Sequence, residues 1–246
     1  MIKVITIDFW NTLFDSSNGT KRNAQRQHVL FEEIAKFGID VSNSDYEKAL
    51  KASWEFFNNI WMNEQRTPMT EETIVFFWNY LNLPYDNQGI QKVANVFKES
   101  IIDYPPQLID GCKEFLSQFH SKFKIGLISD TGFTPGSILK KLMELNNIEQ
   151  YFSAYSFSDE TGVSKPHAKA FSTILEQFEI IPQEAIHIGD IEKTDIIGAK
   201  SFGMKAIRFE GDKTGNFIKN NPQNTIADFT ADSWSNITEI INSFNF

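Results

Sequence analysis

Cysteine is almost missing from this 246-residue sequence: there is one, Cys112. An internal disulfide is excluded, and so is a metal centre built from cysteines alone. A reducing compartment is consistent with that usage. Histidine is scarce too, and the four present, His28, His120, His167 and His187, fall at no metal-ligand spacing. No nucleophile elbow supports Ser-His-Asp catalysis, and Gly111 and Gly132 make neither a P-loop nor a dinucleotide fingerprint. Positive charge is in deficit: 23 Lys and Arg against 32 Asp and Glu give a net charge of −9. That balance argues against general nucleic-acid or acidic-membrane binding. A small anionic substrate stays open, because a bound cation reverses the field locally. Long apolar runs are absent, the densest patch being Ile74 to Trp78, far short of the roughly 18 residues of a membrane span. The opening MIKVITIDFWNTLFD has no basic region followed by an apolar stretch, so it does not read as a signal peptide. The expectation is a soluble, cytoplasmic protein with no nucleic-acid or membrane partner.

What is present is ordinary globular composition, with 41% hydrophobic and 22% charged residues, enough for a sizeable core in one large domain or a small pair. No repeat or low-complexity tract occurs. Lys3 to Trp10 is β-branched and apolar and breaks at Asn11-Thr12, which predicts a strand buried on both faces. From about 20 to 102 the apolar positions recur at helical spacing. Val29, Leu30, Ile34 and Phe37 stop at Gly38, and a second helix carries Tyr46, Ala49, Leu50 and Phe57. Ser44 with Glu47 has the spacing of a capping box for that second helix. Thr70–Asn82 and Asn87–Ile102 predict two more. Trp54, Phe56, Phe57, Trp61, Phe76, Phe77 and Trp78 read chiefly as bundle core rather than a ligand-binding aromatic box.

After Pro105-Pro106 strands and helices alternate. The expected strands are Lys124–Ser129, Ala154–Phe157, Ala185–Ile188 and Lys205–Phe209. The expected helices are Cys112–Phe123, Pro135–Asn146, His167–Phe178, Thr194–Phe202 and Asp232–Phe244. Alternation of this kind implies a parallel sheet covered on both faces. The predicted architecture is α/β: a Rossmann-like parallel sheet with helices on both faces, formed by residues 1–16 and 103–246, with an all-helical cap inserted at 17–102.

Ligands of such sheets bind at the carboxyl ends of the strands. Those ends carry Asp8 to Thr12, then Ser129-Asp130, then Ser164-Lys165-Pro166, then Gly189-Asp190 with Asp195 five residues on. Clustered carboxylates repel, so they call for a cation, and Mg²⁺ prefers oxygen ligands. Asp8, Asp190 and Asp195 could hold it, and Lys165 would help to neutralise an arriving phosphoryl group. Asp8 could then attack phosphorus and form an aspartyl-phosphate that water hydrolyses. The Ser129 hydroxyl and nearby backbone N–H groups could hold phosphoryl oxygens. Each residue also has a plain reading: Asp8 as a turn former, Ser129 as a helix cap, Lys165 as a solvated loop lysine. The joint placement favours the functional one. Asn11 suits a left-handed backbone position, His187 reads as a satisfied core residue, and Cys112 as a small core residue.

The segments IDFWNTLFD, IGLISDTG, GVSKPHAKAF and IHIGDIEKTDIIGAK, in this order, resemble the signature of the haloacid dehalogenase-like (HAD) hydrolase superfamily. PPQLIDGCKEFLSQF resembles the helix before its second motif, and the likeness covers about 1–15 and 105–210. The resemblance implies Asp8 as nucleophile and Mg²⁺ ligand, with Trp10 binding the ion through its backbone carbonyl. It also implies Ser129 and Lys165 as the phosphoryl-binding pair, Asp190 as a Mg²⁺ ligand, and Asp195 as a ligand or a partner behind one. Asn11, Thr12, Ser129, Asp130 and Lys165 are the expected substrate contacts, and a helical cap over the site is a feature many members share.

One position departs from the pattern. Family phosphatases carry a second Asp two residues past the nucleophile, to protonate the leaving group and activate water; here it is Trp10. General acid–base catalysis contributes about 10²–10⁴-fold. The family's dehalogenases usually have an aromatic residue there, and halide departure needs neither proton nor metal. The Gly189-Asp190…Asp195 pattern favours the metal-dependent reaction. The expected function is therefore a Mg²⁺-dependent phosphatase of a small phosphorylated metabolite. A haloacid dehalogenase-like enzyme and a non-catalytic phosphate-ligand binder are the alternatives. Asp15 is a candidate substitute acid, though a turn role at the cap hinge suits it better.

Overall fold

The computed structural model describes residues 1–214 and 222–244. Its centre is a six-stranded sheet in which every pairing is parallel. The strands are β1 (Val4–Ile7), β2 (Lys124–Ser129), β3 (Ala154–Phe157), β4 (Ala185–Gly189), β5 (Lys205–Phe209) and β6 (Phe229–Ala231), in the spatial order β3-β2-β1-β4-β5-β6. β1 lies between β2 and β4, so the chain winds outward from it in both directions. Its carboxyl end is therefore the switch point at which ligands of such sheets sit.

β1 has all four residues buried, as a strand covered on both faces must. One face packs against α5 (Cys112–Phe119), α6 (Gly136–Leu145) and α10 (Trp234–Ser243), through Ile5, Ile7, Phe115, Leu116, Leu142, Trp234 and Ile237. The other packs against α8 (Ala168–Phe178) and α9 (Ile197–Phe202), through Val4, Ile128, Phe171, Ile174 and Ala199. Cys112 is fully buried in the first of these cores.

Between β1 and α5 the chain forms α1 (Gly19–Ala35), α2 (Asn43–Asn59), α3 (Thr70–Tyr80) and α4 (Asn87–Asp103), with a π-helical turn at Ile60–Glu64. These helices share an apolar cluster of their own, which includes Leu30, Ile34, Ala49, Phe77, Trp78 and Val93. Phe133, from the loop after β2, packs against it. No helix among the described residues is long and apolar enough to cross a membrane.

Several boundaries differ from the sequence expectation for local reasons. β1 stops at Ile7 because the chain turns sharply: Leu13 and Phe14 N–H groups both return to the Phe9 carbonyl, and Asn11 takes φ 55°. The cap of α2 is Ser42, not Ser44, and its hydroxyl accepts from Asp45 N at 3.1 Å. Two serines two residues apart fit the capping pattern, and the extended backbone of Ser42 decides between them. α5 ends at Phe119 rather than Phe123. The four-residue helix α7 (Ser158–Thr161) and β6 were not expected; each is too short to show a period. The helix predicted from Thr194 begins instead as a π-helical turn at Glu192–Ile196.

Trp234 joins the core to the loop of the strand-end carboxylates. It packs on Phe115 and Phe209, and its indole N–H donates to the Thr12 carbonyl at 3.1 Å. Trp234→Phe keeps a ring but leaves that buried acceptor unpaired, so stability should fall by about 1–3 kcal/mol. Urea unfolding should show a lower midpoint at an unchanged m-value.

Candidate active site

At the carboxyl edge of the sheet, three strand ends deliver four carboxylates to one place. Asp8 follows β1, Asp130 follows β2, Asp190 follows β4, and Asp195 lies in the π-helical turn after it. Lys165 arrives from the loop between α7 and α8. All but Asp130 are buried, and Asp8, Asp190 and Asp195 each offer an oxygen within 4.8 Å of the others. The Lys165 ammonium donates to Asp8 Oδ1 at 2.5 Å, to Asp195 Oδ1 at 2.6 Å and to the Ile128 carbonyl at 3.2 Å.

Asp195 is held by several hydrogen bonds besides that to Lys165. Oδ1 also accepts from His187 Nε2 at 3.0 Å, and Oδ2 accepts from Ile191 N at 3.0 Å and Thr194 Oγ1 at 3.2 Å. Gly189 is required beside it, since a Cβ there would lie 2.4 Å from the Asp195 carboxyl carbon. Burial lowers the pKa of His187, so its ring is neutral, and with the proton on Nε2 its Nδ1 accepts from Thr6 Oγ1 at 2.9 Å. The expected satisfied core histidine is thus present, and it also orients Asp195.

Burial dominates the titration of the cluster. It pushes Asp8 up to about 7 against the pull of Lys165, and the Asp195 charge adds to the rise. Burial, with the charges of Asp8 and Asp195, raises Asp190 far above the ordinary carboxylate range. Asp130 rises to about 6 for the same first reason. Burial also works against charge on Asp195 and Lys165. Lys165 and His187 outweigh it for Asp195, which stays below its usual value, and the surrounding carboxylates outweigh it for Lys165, which stays above.

A cavity of about 390 Å³ opens onto this cluster. Asp8, Trp10, Asn11, Asp130, Lys165, Asp190 and Asp195 line it, whereas Thr12 and Ser129 do not. Thr12 is fully buried with its hydroxyl unpartnered, and Ser129 Oγ reaches only the Asp130 carbonyl at 3.5 Å. Asn11 Nδ2 donates to Asp190 Oδ2 at 3.3 Å while its own carbonyl accepts from Ser16 Oγ at 2.6 Å, so the side chain works as well as the backbone. Trp10 stands edge-on to Phe9 and faces the cavity. Asp15 does not face it: Oδ1 accepts from Ser17 N, Ser17 Oγ and Gln107 N, the turn role.

The helices after β1 supply the rest of the wall. Trp54, Phe57 and Trp61, read from sequence as bundle core, line the cavity instead, while Phe77 and Trp78 are core. Sequence spacing placed Trp54, Phe57 and Trp61 on one face without showing what that face meets. Trp61 Nε1 donates to Asp130 Oδ2 at 2.8 Å, Ser164 N donates to the Gln65 carbonyl at 2.7 Å, and Thr67 Oγ1 bonds Ser158 and Ser164. Arg22 and Arg26 also line it. Neither was singled out from sequence, although their i, i+4 spacing was visible.

Fold and site define a class: α/β proteins with a buried acidic cluster and one lysine at the switch point of a parallel sheet, roofed by helices. Residues 2–203 match the model of the haloacid dehalogenase-like hydrolase family, and the chain belongs to that family. A glyceraldehyde 3-phosphate phosphatase of Pyrococcus abyssi is 28% identical over 210 residues, covering 85% of this chain and 82% of the relative. The structure of a 2-haloacid dehalogenase from Pseudomonas syringae pv. Tomato DC3000 superposes with a TM-score of 0.74 at 19% identity, covering 100% of both chains. That of a HAD phosphatase from Thermococcus onnurineus gives 0.67 at 20%, covering 98% of each. These two likenesses establish the fold.

The raised carboxylates fix a sign for stability. An acid raised in the folded state binds its proton more tightly there, so its stabilising contribution is present below the unfolded pKa and is lost as pH rises through the folded one. For Asp8 and Asp130 that loss runs from about 3.8 to about 7 and about 6. In chelator-treated protein, thermal scans should show stability falling between pH 5 and 7, with a weaker slope in Asp8→Asn. A divalent cation should raise the melting temperature more at pH 7 than at pH 5.

Proposed function

We propose that this chain is a Mg²⁺-dependent phosphatase of small phosphorylated metabolites that works through an aspartyl-phosphate on Asp8. The observation that carries the reading is the buried set of Asp8, Asp190 and Asp195 around one lysine. Three carboxylates are held close together, burial and their mutual repulsion raise Asp8 and Asp190, and their hard oxygen donors suit Mg²⁺. In this reading Asp8, Asp190 and the Trp10 carbonyl hold the ion. Asp195, both of whose oxygens already accept hydrogen bonds, completes the acidic set and holds Lys165. Bound there, Mg²⁺ would neutralise phosphoryl oxygens as a Lewis acid and favour the ionised nucleophile.

The chain's own residues do the remaining work. An Asp8 oxygen attacks phosphorus, the ester P–O bond breaks, and the electron pair leaves with the alkoxide. Water then attacks phosphorus of the acyl phosphate, releasing inorganic phosphate and restoring Asp8. Lys165 holds Asp8 in place and balances phosphoryl charge. Ser129, whose hydroxyl has only the 3.5 Å contact to Asp130, turns toward a phosphoryl oxygen when substrate is present. Asn11, Thr12 and Asp130 shape the surrounding loops and contacts. Residues 17–102 act as a cap on the core of 1–16 and 103–246, a division supported by their separate apolar cluster. The Trp61–Asp130 and Gln65–Ser164 bonds support closure that excludes water. The name of the Pyrococcus abyssi relative places glyceraldehyde 3-phosphate among the substrates to test.

Trp10 supplies no proton, which favours activated leaving groups and is the one observation supporting a second reading, halide displacement from carbon. Phosphate release from a panel of phosphorylated metabolites and an aryl phosphate should require Mg²⁺ and fall to background in Asp8→Asn. Metal-independent halide release from 2-haloacids, with no phosphate release, would reverse the choice. Trp10→Asp should raise turnover of alkyl phosphates relative to aryl phosphate, by up to about 10²-fold if the new carboxyl acts as general acid.

A further inference from the structure

The cavity lining combines two chemically different sets of residues. One is the acidic cluster with Lys165. The other comes from α1, on which Arg22 and Arg26 lie one turn apart. The chain contains four arginines. Arg66 is paired with Glu64 and Glu72, and Arg208 with Glu192 and Glu210. The two that line the cavity have no carboxylate partner among the described residues; their acceptors are all neutral. Arg22 Nη1 donates to the Ser17 and Tyr104 carbonyls at 2.8 and 2.7 Å. Arg26 donates to Ser100 Oγ, the Phe97 carbonyl and Asn23 Oδ1 at 3.0, 2.9 and 3.4 Å. Among the described residues, both hydrogen bonds of the Arg22 side chain run through Nη1, leaving Nε and Nη2 to face the cavity. Asp15, whose charge acts on Arg22, has Oδ1 committed to Ser17 and Gln107.

Two like charges one helical turn apart repel, and burial penalises both: Arg22 is 8% exposed, and burial together with Arg22 pushes Arg26 down to about 10, where it is still cationic at neutral pH. Such a pair is costly unless an anion lies against it. The Arg26 guanidinium carbon lies 5.1 and 5.5 Å from the ring centroids of Phe97 and Phe133. Those rings, with the backbone carbonyls that accept from both arginines, hold the pair in place before any ligand arrives.

We propose that Arg22 and Arg26 bind a second anionic group, a carboxylate or phosphate, at the end of the substrate remote from the phosphoryl that is transferred. The substrate class is then a small phosphate monoester with a further acidic group, its two charged ends separated by a short apolar or neutral stretch against Trp54, Phe57 and Trp61. This assignment rests on the phosphatase reading of the cavity.

The test is titration calorimetry on the full chain with Mg²⁺, comparing 3-phosphonopropionate with n-propylphosphonate, neither of which has an ester to hydrolyse. The carboxylate-bearing ligand should bind at least about tenfold more tightly, as charge-assisted bonds to a guanidinium imply. Arg22→Gln and Arg26→Gln should each bring the two affinities closer. Equal binding of both ligands to the unaltered protein overturns the subsite whether or not the variants fold. A preference that survives in both variants overturns it as well. Equal binding alongside Mg²⁺-dependent phosphate release leaves the phosphatase reading standing and removes only the subsite. Failure of both phosphonates to bind overturns both readings.

Discussion

The ammonium of Lys165 lies between two buried carboxylates, 2.5 Å from Asp8 and 2.6 Å from Asp195. Removing one member of a buried ionic set costs about 3–5 kcal/mol, because the charge left behind has no water to turn to. The neighbouring structure is arranged around holding this set together. The π-helical turn after β4 directs Asp195 back to Lys165, the Ile191 N–H and Thr194 hydroxyl fix its second oxygen, and His187 fixes the first from inside the sheet. Gly189 leaves the space that the Asp195 carboxyl fills. The Lys165 backbone N–H then donates to Asp130 at 3.0 Å, and Asp130 takes Trp61. One chain of polar contacts thus runs from the sheet interior to the helices above it.

That chain buries several carboxylates together. Burial raises Asp8, Asp130 and Asp190, and the neighbouring acids add to the rise, as desolvation and like charge together predict. A cation at the acidic cluster and an anionic ligand against the two arginines would complement both sets of residues in one cavity. A chain with a net charge of −9 can in this way present a site for a negatively charged molecule. The relevant charges are local, and the overall balance says little about them.

Much of the fold was legible in the sequence because its signals are local. Lys124–Ser129, Ala154–Phe157 and Lys205–Phe209 are strands with the bounds that the alternation of strand and helix patterns predicted. Asn11 takes the left-handed backbone its amide tolerates, and Asp15 caps the turn beyond it. What failed locally was either too short to carry a period, as in Phe229–Ala231, or degenerate, as with Ser42 and Ser44 competing to cap one helix. The bundle aromatics failed for another reason. Trp54, Phe57 and Trp61 have core-like spacing, and spacing reports which residues share a face, not whether that face meets protein or a cavity.

The sequence by itself determined the alternating strands and helices, the order of the acidic and lysine segments at strand ends, and the presence of Trp10 where a second acid would stand. These follow from residue type and short-range spacing, which the backbone translates directly into structure. Only the tertiary structure decided that Lys165 bridges Asp8 and Asp195, that His187 lies behind Asp195, that Trp61 reaches Asp130, and that Arg22 and Arg26 face the same cavity with no carboxylate partner among the described residues. Most of these join residues far apart in the chain, and the nearer pairs, His187 with Asp195 and Arg22 with Arg26, take their role from what the fold packs around them. Their charge, burial and hydrogen bonding exist only once the parallel sheet brings its carboxyl ends together and the helices fold back over them.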